Sequence, residues 1–231
     1  MNREERRKLE KFAKVAREIR ATKPKIMLTF AHPGTVHTDF MSSVLQVVYS
    51  GKYDLQVVEG YSGPVISKAR NSLAEHFLSV PGAEYLLMVD TDMVFNDEVL
   101  DRLLKADLPI VSALYVAPYP HPDELNPVAL VKHEDDGKYW PLELDTQSDG
   151  FDPEQPVLVD GVGMGLCLIK RAVVEDVGVD VVRGWPYAET EVGGYICGED
   201  LTFCIRAREN GGHSSYVIPA ARAGHRKTFT V

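Results

Sequence analysis

Cysteine is scarce in this 231-residue chain: Cys167, Cys197 and Cys204 are the whole complement, an odd number with no C-x-x-C pair. That excludes a disulfide framework and a cysteine zinc site, and it predicts buried free thiols. Long apolar runs are missing too, and none reaches bilayer-spanning length. The opening "MNREERRKLEKFAKVAREIR" is charged almost from its start, so it does not read as a secretory signal, and a cytoplasmic protein is expected. Cationic charge is in deficit, with 25 Lys or Arg against 34 Asp or Glu and a net charge of −9. Such a surface is poorly suited to direct nucleic-acid binding. Repeats and low-complexity linkers are absent.

The charge that is present is unevenly placed. Residues 1–25 hold ten Lys or Arg against four Glu, a surplus of +6 that leaves the remainder at −15. Leu9, Phe12, Ala16 and Ile19 recur at helical spacing, so residues 1–24 read as a basic amphipathic helix. Its apolar stripe is expected to pack on the acidic body or on the second copy of a homodimer. Contact with an anionic membrane surface is the rival expectation.

Beyond that helix the composition is that of a globular protein, 45% hydrophobic and 26% charged, and the length suits a single domain. Strand-like runs at 25–30, 54–58, 85–89 and 109–116 alternate with helical periodicity at 36–50, 65–79 and 96–106. The alternation predicts an α/β fold, a mostly parallel sheet flanked by helices, whose ligands bind beyond the carboxyl ends of the strands. After residue 117 the pattern changes: prolines crowd "APYPHPDELNP", and "VALVKHEDDGKYWPLEL" predicts a hairpin turning at "DDG". The domain over 25–231 is therefore expected to have two halves, 25–116 and a β-hairpin elaboration over 117–231.

At the end of the third strand stands "EYLLMVDTDMVF", in which an apolar run closes on Asp90 and Asp92. Alternate residues of a strand share a side, so an extended chain through Asp92 would aim both carboxylates one way and invite a cation. The bland alternative, capping of the next helix, is already served by Asn96, with Asp97 and Glu98 complementing the dipole. A hard divalent ion sharing a phosphate-bearing ligand suits such oxygens. A second pair, Glu199 and Asp200, opens the helical run "GEDLTFCIRARENGG", as catalytic groups or as dipole complement. In "VDGVGMGLCLIKR", Gly161, Gly163 and Gly165 alternate, which bares one face of a presumed strand for close approach by a substrate or a packed neighbour.

The segment "ARNSLAEHFLSVPGAEYLLMVDTDMVF" resembles GT-A glycosyltransferases, especially the family-two group, in which an Arg-Asn helix leads into the D-x-D strand. "GEDLTFCIRARENGG" resembles the same group's Glu-Asp helix. "ARAGHRK" and "GGYICGEDLTF" are similar to the Gly-His and Gly-Gly-Glu-Asn elements of polypeptide N-acetylgalactosaminyltransferases. The resemblance spans about residues 25–227. It implies a GT-A-like fold and a metal-dependent transfer of sugar from a nucleoside-diphosphate donor, UDP- or GDP-linked, to a glycan, protein or small-molecule acceptor.

The resemblance also distributes roles. Asp92 and His225, with Asp90, would hold Mn²⁺ or Mg²⁺ against the donor diphosphate. Glu59, Lys68, Arg70, Asn71 and Asp90 would face the nucleotide; in an inverting enzyme Asp200 would be the general base and Glu199 would orient hydroxyls, whereas a retaining one would need no base there and would rely more on Glu199. Trp185, in "RGWPYAET", is a candidate platform for a sugar ring or a core aromatic. Two departures touch base specificity: "TFAHPGTVHTDF" lacks the usual polar pair after the first strand, and Ser72 replaces a frequent Gly. "VDTDMV" also resembles the nucleophile motif of haloacid-dehalogenase phosphatases, but two βα units precede it where that fold has none. A non-catalytic nucleotide-sugar or glycan-binding module would not need Glu199 and Asp200.

Overall fold

The structure, a computed structural model, describes residues 5–7, 22–118, 124–178, 186–192 and 194–226. Of the basic helix expected over 1–24, residues 5–7 are helical, and residues 8–21 lie outside the described residues. Trp185 lies outside them as well.

The first half follows the alternation closely: β1 (Lys25–His32), α1 (Thr38–Ser50), β2 (Asp54–Tyr61), α2 (Ile66–Ser79) and β3 (Tyr85–Asp90). A short β4 (Met93–Val94) precedes α3 (Asp97–Ala106), after which β5 (Ile110–Leu114) completes the half. The caps are local chemistry. Asn96 Oδ1 accepts from Val99 N at 3.1 Å, with Asp97 and Glu98 in the first turn, as the sequence predicts. Helix α1 ends on Gly51 at φ 64°, left-handed backbone that glycine adopts without steric cost.

The second half begins with short ribbons. Strands β6 (Val116–Pro118) and β7 (Leu125–Pro127) pair, and β8 (Ala129–Lys132) and β9 (Tyr139–Pro141) form the expected hairpin with Gly137 at φ 68° in its turn. Strands β10 (Val157–Val159), β11 (Gly161–Val162) and β12 (Leu166–Lys170) follow, then α4 (Arg171–Val177). The ribbon β13 (Thr190–Val192) and β14 (Tyr195–Cys197) leads to α5 (Glu199–Gly211), β15 (Ser215–Arg222) and β16 (Gly224–His225).

Seven strands form one sheet in the order β10-β15-β5-β12-β3-β1-β2, drawing on both halves. The sheet is mixed rather than parallel throughout: β12 runs antiparallel to β3 and β5, and β10 antiparallel to β15. The reason lies in the connection. The chain leaves β5 at its carboxyl end and wanders through ribbons with no described helix. It then re-enters at the same end, so β12 must descend against its neighbours. Helices α1 and α3 bury Phe40, Val44, Val47, Leu100 and Leu103 on one face. Helices α2, α4 and α5 bury Phe77, Val174, Phe203 and Cys204 on the other. All three cysteines are free and buried, and burial pushes the Cys167 thiol well up.

The glycine run is not a continuous strand, because residues 163–165 turn between β11 and β12. Nor is its face open. A Cβ on Gly161 would meet Leu201 Cδ1 at 2.5 Å, and one on Gly165 would meet Tyr115 Cζ at 2.7 Å; the Tyr115 hydroxyl blocks Gly163. Close packing by two side chains explains these glycines.

Candidate functional site

Strand β3 ends at Asp90 and residues 91–92 turn, so the two carboxylates do not share one extended strand as the sequence suggests. They take different partners: Asp90 Oδ1 accepts from Arg70 Nη2 at 2.8 Å, whereas Asp92 Oδ2 lies against His225 of β16.

Arg70 is the hub of the site. It projects from α2, its side chain is only 5% exposed, and Nη1 donates to Glu199 Oε1 at 2.7 Å and to Asp200 Oδ1. Three carboxylates thus surround one guanidinium beyond the end of β3. Burial opposes the Arg70 charge, but Asp200, Asp90 and Glu199 outweigh it and hold the group above its ordinary value. Asp200 responds the other way: burial, with Asp90 and Glu199, lifts its carboxyl to about 6, against the pull of Arg70 and of Met164 N, which donates to Asp200 Oδ2 at 3.0 Å.

Asp92 meets a different partner. Strand β16 pairs antiparallel with β4, His225 opposite Met93, and Arg226 N donates to the Asp92 carbonyl at 2.8 Å. This brings His225 Nε2 to 3.1 Å from Asp92 Oδ2, while His225 Nδ1 lies 2.9 Å from the Val116 carbonyl. A carbonyl only accepts, so Nδ1 carries the proton there, which leaves Nε2 to face the carboxylate. At 3.1 Å a nitrogen and a carboxylate oxygen are bridged either by a proton, as in an ordinary ion pair, or by a metal ion. A histidine anchored through its other nitrogen to a backbone carbonyl is the usual posture of a metal ligand.

The three-ligand convergence expected of Asp90, Asp92 and His225 is not observed. Among the described residues, no group of three or more His, Cys, Asp or Glu is placed to hold a metal ion. Asp90 is drawn off by Arg70, whose buried charge needs it. The Asp92–His225 pair still fits an ion that takes its remaining ligands from phosphate oxygens and water.

The remaining expected residues are spread around this centre. Glu59, at the end of β2, is 71% exposed and lies 3.6 Å from His32 Nε2 at the end of β1. Lys68 and Asn71 line a cavity of about 790 Å³ with Ser67, Tyr187 and Glu199. Asn71 is committed to the protein: its Nδ2 donates to Tyr187 O and its Oδ1 accepts from Tyr187 N, both at 2.8 Å, which pins the strand-like segment before β13. A second cavity, about 600 Å³, opens on the other side of Glu199 over Asp200, Trp140 and Ile196.

Sequence reasoning missed four residues here. Tyr115 backs the site, accepting from Gly165 N at 3.0 Å and lying edge-on to His225 at 5.5 Å. The three glycines were its only trace. Tyr187 and Trp140 had none, because each belongs to a loop or ribbon whose position depends on distant pairing; His32 ends β1 and meets Glu59 only through the pairing of β1 with β2.

No family model matches the sequence, and no curated protein is significantly similar to it. A solved structure similar to this one is the crystal structure of A197 from STIV, with a TM-score of 0.51, 12% identity, and coverage of 90% of this chain and 96% of that one. At that identity the likeness is one of fold: a mixed α/β sheet flanked by helices, shared over almost the whole of both chains.

Proposed function

We propose that this chain is a GT-A-type glycosyltransferase that moves a sugar from a nucleoside-diphosphate donor, UDP- or GDP-linked, to an acceptor hydroxyl. One observation carries the reading: Arg70 gathers Asp90, Glu199 and Asp200 beyond the carboxyl end of β3, beside the Asp92–His225 pair. Ligands of open α/β sheets bind at such ends.

In this reading Glu59 and Lys68 face the nucleotide and Arg70 keeps the carboxylates in place. Asp92 and His225 would hold Mn²⁺ or Mg²⁺, the imidazole nitrogen favouring Mn²⁺. When bound, the ion supplies Lewis-acid stabilisation of charge on the departing diphosphate. Asp200 takes the proton of the acceptor hydroxyl as its oxygen bonds to the sugar's anomeric carbon, and the bond from that carbon to the diphosphate breaks. The products are the glycosylated acceptor, the nucleoside diphosphate and protonated Asp200. Glu199, between the two cavities, orients the hydroxyls.

A phosphatase using Asp90 as nucleophile fits less well, because two βα units, β1–α1 and β2–α2, precede the strand that carries it, where the nucleophile strand of that fold comes first. Among the described residues no helix is long and apolar enough to cross a membrane. Incubating the full chain with UDP- and GDP-sugars and Mn²⁺ should release nucleoside diphosphate, and a chelator should stop it. Release of inorganic phosphate alone, or no cleavage of any donor, overturns the proposal.

A further inference from the structure

The cavity of about 600 Å³ beside Asp200 has a polar end and an apolar body. Glu199 and Asp200 close one end. From there the walls are Pro127, Val128, Leu130, Val162, Ile196 and the Trp140 ring, contributed by the β6–β7 ribbon, the β8–β9 hairpin, β11 and β14. The few polar groups along this body are partly committed. The Trp140 ring nitrogen lies 3.4 Å from Asp136 Oδ2, turned to the hairpin's own turn, and Lys138 lies 3.9 Å from the same carboxylate. At the mouth the apolar character continues outward: Ile196 is 77% exposed and Trp140 40% exposed.

A carbohydrate chain presents hydroxyls on every ring; the Trp140 and Tyr139 rings offer it faces to stack on, but hydroxyls set against the aliphatic walls would give up hydrogen bonds to water with few partners in return. A molecule with a single attacked hydroxyl on an apolar body has the opposite balance. Its hydroxyl meets the carboxylates while its body leaves water against the walls. The volume is that of a pocket for one small organic molecule.

We infer that the acceptor is a hydroxyl-bearing small molecule with an apolar body, aromatic or branched aliphatic, seated between Trp140 and Ile196 with its hydroxyl at Asp200. The inference rests on the glycosyl-transfer reading above for the role of Asp200, but the ligand class rests on the cavity alone.

Binding and transfer are measured separately on the full chain. Calorimetric titration with 4-methylumbelliferone and geraniol, against maltotriose and chitotriose, reads the ligand class and separates aromatic from aliphatic bodies. At least one apolar alcohol should bind at least about tenfold more tightly than either oligosaccharide. Ile196→Asp, at an exposed position, should weaken that binding by at least about tenfold, the change expected from removing one large apolar contact. Trp140→Ala, checked for an unchanged melting profile, should do the same. Tighter binding of an oligosaccharide, binding of neither alcohol, or alcohol binding indifferent to Ile196→Asp overturns the inference. Alcohol binding that depends on Ile196, without transfer from any sugar donor, upholds the ligand class and counts against the glycosyltransferase reading. Transfer to maltotriose or chitotriose without alcohol binding does the reverse.

Discussion

Asp90 and Asp92 stand two positions apart and settle on different partners, one on Arg70 and one beside His225, whereas the adjacent Glu199 and Asp200 share a single nitrogen of Arg70. Neighbouring residues on a helix do not face each other, and alternate residues on a strand do, so spacing alone predicts the reverse. Backbone and counter-charge decide instead. The chain turns at 91–92 and sends the two aspartates apart. At the start of α5, a buried cation beneath the first turn draws both acids back to it. One pair is thereby divided between two partners, and the other is concentrated on one; under the proposed function the first division separates structure from ion binding and the second gathers the groups for proton transfer.

Removing the shared cation should have the largest effect. Arg70→Met leaves three carboxylates facing one another, and loss of one partner from a buried ionic cluster costs about 3–5 kcal/mol. Urea unfolding should place the variant near the low end of that range, since Asp90 is 35% exposed. Arg70→Lys should recover only part, because an ammonium cannot fork between Asp90 and the α5 pair. A loss below about 1 kcal/mol for Arg70→Met would mean the cluster is not coupled as described.

Next in size is the loss of the proposed base. Asp200→Asn should lower transfer at least about 10²-fold with donor affinity unchanged, the low end for general-base catalysis. The pH profile sharpens the assignment. Below about 6 the Asp200 carboxyl is protonated and cannot take the acceptor's proton, so wild-type transfer should climb through that region and level off above it. The residual activity of Asp200→Asn should lack this limb, and a limb that persists points to another base.

A smaller change is expected at the other acidic pair. Asp92→Asn and His225→Ala should each raise the Mn²⁺ concentration needed for donor cleavage by at least about tenfold, in the range for altered groups around a metal. Asp90→Asn should act mainly through stability, as a partner of Arg70. If Asp90→Asn shifts the Mn²⁺ requirement as far as Asp92→Asn does, the division between the two aspartates fails.

The smallest effect concerns stability against pH. The folded chain holds the Asp200 proton more tightly than the unfolded chain, whose carboxyl lies near 3.8. The associated stabilisation is complete below that value and lost as pH rises through about 6. Wild type should therefore gain slightly, relative to Asp200→Asn, on acidification across this window. Parallel melting curves for the two proteins would contradict the raised carboxyl.

Much of the first half, and the β8–β9 hairpin of the second, was legible because the signals are local. The apolar runs, the Asn96 cap and the hairpin at Gly137 declare themselves within a few residues. Strand direction does not: Leu166 to Ile169 are all buried, and a strand covered on both faces reads the same whichever way it runs. The site residues were legible as residue types but not as pairings. Arg70 stands 129 positions from Glu199, and nothing in the helix that carries it tells which acids it will hold. Asn71, expected at the nucleotide, proves to be tied to the backbone of Tyr187.

The pairing of β16 with β4 has a consequence for biosynthesis. Asp92 emerges from the ribosome long before His225, 133 positions later, and the histidine arrives only with the residues that also clamp the Asp92 carbonyl through Arg226. A chain caught partway through translation, or clipped ahead of residue 224, has no His225 to set against Asp92. If the pair holds the ion as proposed, competence is withheld until synthesis has passed that point, and truncated products should be inert toward sugar donors.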